Sequence, residues 1–469
     1  MINCPPGEAR LQRMTKTKTR TYLVGLTLLL WWLQPVYVLA QQRPPVSEAS
    51  KNPVQSNPAL QTPTGVQTDT GTSQARPLYG VQGLLVESLA GSTIATQNAD
   101  KAFNPASAIK LATALVALRT FGPKHRFSTG IWTDGDFDKA NSTINGNLYV
   151  SGRDPSLHYE HAIDIAHQLN TLGIRTVSGD LVVSPEFTLN FSWSARSSGD
   201  SFYDTLDLQL RSTEATRAWL TARAAVGNNM ITGSVPSVAV MGEVKVGPVA
   251  PRAKLLLTHS STTLQDILKV LLCYSNNFMA ERLGESLGGT ESVQRQLLNS
   301  LGIPDDQIRL ASVSGLGINR VTPQAMMKVL RALRQEVQKN GLSLSDIMPV
   351  AGIDPGTLEE RFVSFPWRGS VIAKTGTLVR TDGGASSLVG QMRTTSGEIL
   401  LFVIMNQNGS VSRFRENQDS FVMQVQNTRG GPRSFDYVPH TLAIKLTDTK
   451  STLGPHEEYE PKTTVTSSP

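Results

Sequence analysis

The chain has 469 residues, 39% of them hydrophobic, two cysteines and a formal charge of +6. That is enough apolar material for two domains with real cores, and too little cysteine for a disulfide scaffold. Five basic side chains and one acid fall within the first 40 residues, so the remainder carries only +2 and gives no support for nucleic-acid binding.

In chain order, Arg10, Arg13, Lys16, Lys18 and Arg20 precede the apolar run Tyr22 to Leu33, and Val38-Leu39-Ala40 precedes Gln41. A basic region, an apolar core and small residues before a cut predict a secretory signal peptide over 1–40, and so export to the periplasm or another extracytoplasmic space. Thr21 to Ala40 is also long enough to remain as a membrane tether. Gln34 and Pro35 interrupt the run and favour cleavage. Cys4 would leave with the leader, and Cys273 would have no internal partner. Residues 41–78 are rich in Pro, Gln, Ser, Thr and Gly and hold no aromatic residue, the composition of a disordered linker.

Gly83 to Glu87 and Thr93 to Thr96 predict a hairpin around Ala90-Gly91-Ser92. Next comes NPASAIKLATALVALRTFGP, Asn104 to Pro123. Pro105 suits a first helical turn and Gly122-Pro123 a stop, so a helix is predicted over Ala106 to Phe121, buried on most sides because nearly every residue is apolar or small. Ser107 and Lys110, three apart, share its N-terminal face. A serine hydroxyl attacks only when a base takes its proton, and a lysine amine is such a base only when neutral. Burial and the partial positive charge of the helix N-terminus both disfavour the ammonium. A helix cap followed by a snorkelling lysine has the same spacing, so the pair alone does not establish catalysis.

From 124 to 258 the pattern changes to short strands, Phe127 to Trp132, Leu148 to Val150 and Leu181 to Val183, with one helix over Ala162 to Leu172. These are read as a smaller domain inserted into the first. Asn190 to Arg223 is polar and resists assignment. His158, His161 and His167 invite a zinc reading, but there is no HExxH and no cysteine partner, so a solvated helix face is expected and no metal or cofactor is called for.

Leu264 to Leu272 predicts a helix running into Ser275-Asn276-Asn277, a polar triplet between apolar stretches. It is either a structural cap or a proton relay (Ser275) beside a substrate amide holder (Asn277). Ser370 to Leu378 predicts a strand carrying Lys374, Thr375, Gly376 and Thr377, which by itself reads first as an ordinary strand end with a solvated lysine and, on a sheet edge, as a carboxylate seat. Lys374 would offer a fixed positive charge and the two threonines hydroxyl donors for a carboxylate, while Gly376 would let another backbone approach. Strands over Ser387 to Met392 and Ile399 to Met405 and a helix over Phe414 to Asn427 follow, and residues 446–469 are expected to form a disordered tail.

Ser-x-x-Lys, Ser-x-Asn and Lys-Thr-Gly, in that order, resemble the motifs of the penicillin-binding proteins and serine β-lactamases. SNNFMAERLG, PVAGIDPGTLEERF and AKTGTL, with GNLYVSGRDPSL and VSGDLVV in the insertion, resemble the D-alanyl-D-alanine carboxypeptidase/endopeptidase group, the class C low-molecular-weight penicillin-binding proteins. The resemblance implies an α+β fold: a transpeptidase-type domain over 79–123 and 259–445, with an antiparallel sheet flanked by helices, and the inserted, mostly-β domain at 124–258. It further implies acylation of Ser107, with Lys110 as base, Ser275 as proton relay and Asn277, Lys374, Thr375, Gly376 and Thr377 as substrate-binding residues. The partners implied are peptidoglycan stem peptides ending in D-Ala-D-Ala, with β-lactams as covalent inhibitors. The group's motif often has aspartate where Asn276 stands, and the interval between Ser107 and Ser275 is shorter than usual, which favours carboxypeptidase over endopeptidase action. A β-lactamase, or a sensor that binds without turnover, are the rival readings.

Overall fold

The computed structural model describes residues 80–227 and 234–454. The leader and linker expected over 1–40 and 41–78 lie outside the described residues. Among the described residues, no helix is long and apolar enough to cross a membrane.

A five-stranded antiparallel sheet runs in the order Val371–Leu378, Ala385–Arg393, Ile399–Gln407, Val81–Ser88, Thr93–Gln97. Its inner strands are covered on both faces, so ILLFVIM in Ile399–Gln407 reads as a continuous apolar run rather than an alternation. The strand with Lys374 is an edge of this sheet. One core, formed with Ile372, Val389, Val403 and Met405, holds the helices Lys110–Phe121, Leu264–Tyr274, Asn277–Ser286 and Pro323–Lys339. The opposite face packs Ala373, Leu388, Phe402 and Ile404 against Val422 and Val425 of the helix Val411–Asn427.

The helix Lys110–Phe121 is central to the first core, and each residue from Lys110 to Leu118 is buried. A 3-10 turn, Ala106–Ile109, precedes it, and Gly122 ends it with a φ of 79°. Its leucines contribute about 1.5–3 kcal/mol each by burial, and a polar residue at any of these positions must find a partner or neutralise.

A six-stranded mixed sheet has the order Val244–Val246, Leu181–Val183, Leu148–Gly152, Ser128–Thr133, Lys254–Ser260, Lys450–Leu453. A separate core of Ile131, Val150, Leu181, Val183 and Leu257 packs against the helix Tyr159–Thr171 and against Phe202 and Leu206. Three expectations change here. The unassigned polar stretch forms two helices, Ala195–Leu206 and Thr213–Ala225, capped by Ser194 and Ser212, so residues 124–258 are mixed rather than mostly β. Their buried faces mix Phe202, Leu206, Ala215 and Trp219 with Ser198, Gly199 and Thr205, so the apolar period is broken, which is why the sequence hid them. The tail does not dissolve at 446: Lys450–Leu453 adds an antiparallel strand to Lys254–Ser260, because an edge strand offers backbone partners even to a polar segment. His161 is buried rather than solvated. Its Nδ1 accepts the His158 N–H at 3.0 Å and its Nε2 lies 2.9 Å from the Leu446 carbonyl, so it serves as a helix cap and a latch for the tail. Among the described residues, no group of three or more His, Cys, Asp or Glu could hold a metal ion.

Candidate active site

Ser107 sits in a turn held from several sides. Ala106 has a φ of 46°, a conformation that a residue with a side chain adopts only when its surroundings impose it. Here the Ala106 N–H donates to Asn104 Oδ1 at 3.0 Å, and the Pro105 carbonyl accepts from Ala108 N at 3.1 Å and Ser387 Oγ at 2.7 Å. Gly315, with a φ of 92°, and Gly376 press on the same turn: a Cβ on Gly315 would stand 2.1 Å from the Ala106 oxygen, and one on Gly376 2.3 Å from the Pro105 oxygen. Gly376 therefore serves the close backbone approach expected of it, and the backbone approaching is the nucleophile's own.

Lys110 Nζ lies 3.0 Å from Ser107 Oγ and donates to Asn277 Oδ1 at 2.7 Å and to the Ser314 carbonyl. Burial, and then the charge of Lys374, hold its pKa well below the ordinary lysine value, opposed by Glu281. A neutral amine has two N–H bonds and one lone pair. Asn277 Oδ1 and the Ser314 carbonyl are acceptors only and consume both N–H bonds, which leaves the lone pair facing the serine hydroxyl. Burial favours that neutral form, and the two acceptors fix its orientation so that the lone pair meets the hydroxyl, as a base for Ser107 requires.

The Ser-x-Asn triplet is both cap and site. Ser275 closes the helix Leu264–Tyr274 in the left-handed region (φ 57°), and Asn276 caps the next helix by accepting from Met279 N at 3.0 Å. Asn277 is thereby aimed at Lys110 rather than outward. Among the described residues the Ser275 hydroxyl makes no hydrogen bond, so the relay contact with Ser107 and Lys110 is not formed in this structure. The loop behind it is fixed by a buried network. Lys269 Nζ donates to Asp354 Oδ2 at 2.6 Å, Tyr437 donates to Asp354 Oδ1 at 2.7 Å, and Thr357 N donates to the Cys273 carbonyl at 3.0 Å.

Lys374 is completely buried, and burial pushes its pKa down to about 7. Its Nζ donates to the Thr375 carbonyl at 2.9 Å. The expected fixed charge is therefore a titratable one, and a bound carboxylate would favour its protonated form. Side chains alternate along a strand, so Lys374 and Gly376 share the face of Ile372, toward the nucleophile helix, and Thr375 and Thr377 share the face of Ala373. On that side Thr377 Oγ1 accepts from Arg415 Nη2 at 2.8 Å. The two threonine hydroxyls are thus grouped with a guanidinium that the sequence reading did not single out.

Two further contributors were also missed. The Ser314 carbonyl carries no side-chain signal at all. Glu281, whose Oε1 accepts the Ser314 N–H at 3.0 Å, stands four residues after Asn277 on one helix face, a spacing that could have revealed it.

A serine paired with a buried lysine one turn along its helix, beside the lysine-bearing edge of an antiparallel sheet, defines the penicillin-binding class of serine acyl-transfer enzymes. The model of the D-Ala-D-Ala carboxypeptidase 3 (S13) family matches residues 73–194 and 221–428, and the chain belongs to that family. It is 27% identical over 447 residues to a D-alanyl-D-alanine carboxypeptidase of Actinomadura, an alignment covering 74% of this chain and 81% of that one. A D-alanyl-D-alanine carboxypeptidase of Haemophilus influenzae is 33% identical over 177 residues, 34% of this chain and 35% of the other. Among solved structures, the penicillin G-acylated predatory endopeptidase of Bdellovibrio bacteriovorus superposes with a TM-score of 0.66 at 24% identity, covering 79% of this chain and 99% of that chain. Penicillin-binding protein 4 of Haemophilus influenzae gives 0.56 at 21%, covering 75% and 97%. At these identities the two structures establish the fold alone.

Proposed function

We propose that this protein is a serine-type D-Ala-D-Ala carboxypeptidase, the activity for which its relatives are named, and that it trims peptidoglycan stem peptides outside the cytoplasm. The observation that carries the reading is the Lys110 amine, buried, its pKa pushed well below the ordinary lysine value, engaged by Asn277 Oδ1 and the Ser314 carbonyl, with Ser107 Oγ 3.0 Å away.

Ser107 transfers its proton to the Lys110 lone pair as Oγ bonds to the carbonyl carbon of the penultimate D-alanine, and the carbonyl electron pair moves onto oxygen. The N–H groups of Ser107 and Thr377 receive that oxyanion, each worth about 3–4 kcal/mol in comparable sites. When the pair returns, the C–N bond breaks, and the proton held by Lys110 passes through Ser275 to the departing nitrogen, so D-alanine leaves as a neutral amine. Ser275 must turn toward Lys110 for this step, as catalytic hydrogen bonds often tighten only with substrate bound. Water, deprotonated by the same amine, then hydrolyses the ester and restores Ser107. Asn277 holds the acyl-side amide, and the terminal carboxylate lies along the edge of the strand, where Lys374 reaches it from the nucleophile-helix face and Thr375 and Thr377 from the other. β-Lactams acylate Ser107 by the same first step. In this reading 124–258 is an inserted domain in a peptidase domain of 79–123 and 259–445, and the leader at 1–40 exports the chain.

Labelling with a fluorescent penicillin, followed alongside D-alanine release from a soluble pentapeptide, tests the assignment. A long-lived adduct with D-alanine release is expected. Rapid loss of label without D-alanine would make the protein a β-lactamase, and a stable adduct without turnover a sensor. Ser107→Ala must abolish labelling; persistent labelling would refute the nucleophile.

A further inference from the structure

The six-stranded sheet buries one face, with Ile131, Val150 and Leu257, and leaves the other open. On the open face, Thr258, Gly130 and Ser151 stand side by side across three strands in register. They floor a trough of about 390 Å³, within the range of small-ligand sites. None of its lining residues belongs to the Ser107 site.

The trough is built around Trp132. Gly130 lies two residues before it on the same face, and a Cβ there would stand 2.5 Å from the indole Nε1. The missing side chain therefore lets the indole lie down along the sheet. Its N–H donates to Ser151 Oγ at 3.2 Å, which fixes the ring in that pose. One ring face thus rests on the sheet and the other is offered to the trough, where Ser128 and Thr258 bring hydroxyl groups. At the end of the trough Arg153 and Glu186 form an exposed ion pair at 3.2 Å, with side chains 56% and 43% accessible. One cation and one anion leave the lining neutral, which suits an uncharged polymer and not a phosphate or a nucleic acid.

We propose that this trough binds an N-acetylated glycan strand, with a hexosamine ring stacked on Trp132. A flat, prepositioned aromatic surface matches the C–H face of a sugar at little ordering cost, while the serine and threonine hydroxyls and the Arg153–Glu186 pair match its hydroxyl and acetamido groups. The choice of glycan rests on the reading of the catalytic site: stem peptides hang from such a strand, and holding the strand raises the local concentration of its peptides at Ser107.

Titration of the full chain with tetra-N-acetylchitotetraose, followed by tryptophan fluorescence and saturation-transfer NMR, tests the proposal. Saturable binding is expected. Trp132→Ala should weaken it by about tenfold or more, and Gly130→Ala, which keeps the ring but lifts it off the sheet, should weaken it likewise. Both variants should melt cooperatively and release D-alanine from a soluble pentapeptide at the wild-type rate. Absence of saturable binding by the wild type, or equal binding by wild type and Trp132→Ala, overturns the proposal. A wild type that binds chitotetraose through Trp132 but neither takes up penicillin nor releases D-alanine would overturn the catalytic reading and uphold the trough.

Discussion

Replacing Gly376 by Ala tests the geometry of the nucleophile without touching a reacting group. The new Cβ would lie 2.3 Å from the Pro105 oxygen, 3.0 Å from Ser387 Oγ and 3.1 Å from the Ala106 Cβ. Real Cβ atoms do not come within 3.0 Å of a carbonyl oxygen, so the two backbones must part by at least 0.7 Å. The Pro105 carbonyl cannot yield alone, because Ala108 N and Ser387 Oγ both donate to it and Gly315 closes the far side of the turn. The shift is passed to Ser107, two residues on. A misplacement near 1 Å costs about 100-fold in rate, or about 2.7 kcal/mol. The second-order rate of acylation by a fluorescent penicillin, measured on protein whose cooperative melting shows it folded, should fall by about that factor. A rate within about threefold of wild type would refute the claim that contact between the edge strand and the turn sets the position of the hydroxyl.

The remaining predictions concern charge. Asn277→Asp places a carboxylate against Lys110 and stabilises the ammonium; acylation at pH 7 should fall by about 100-fold or more and recover at higher pH, and an unchanged pH–rate profile would show that Lys110 is not the base. Because Lys374 titrates at about 7, carboxylate binding weakens as pH rises through that value, so KM for the pentapeptide should climb between about pH 7 and 9 while the rate of acylation by a carboxyl-esterified β-lactam should not. A KM flat across that range would place the carboxylate elsewhere. His259 is buried and holds its pKa near 3, so between about pH 6.5 and 3 the unfolded chain binds a proton that the native one does not. Its stability term is fully present above pH 6.5 and is lost as pH falls, with a slope of about 1.4 kcal/mol per pH unit; His259→Asn should flatten the acid limb of the urea midpoint measured against pH.

The short-range grammar of the chain was legible because local chemistry enforces it. Pro105 and Gly122 bracket the helix and its apolar content announced burial, so the burial of the amine followed from the residues between 105 and 122. The Val-Ile-Ala-Lys-Thr-Gly-Thr-Leu strand and its neighbours were legible for a similar reason, since β-branched runs between turns admit few alternatives. The two helices of the polar stretch, the buried role of His161 and the strand made by Lys450–Leu453 were not, because each takes its stability from a partner far along the chain.

By itself the sequence determined which residues could react: a hydroxyl and an amine one helical turn apart, a triplet able to cap and to donate, a lysine on a strand. Only the tertiary structure decided what those groups are. It spends both Lys110 N–H bonds on Asn277 and the Ser314 carbonyl, turns Lys374 into a group that titrates near neutrality, and sets Thr377 beside Arg415. Protonation state and hydrogen-bond direction depend on burial and on acceptors brought in from 167 and 204 residues away, and no local pattern encodes either.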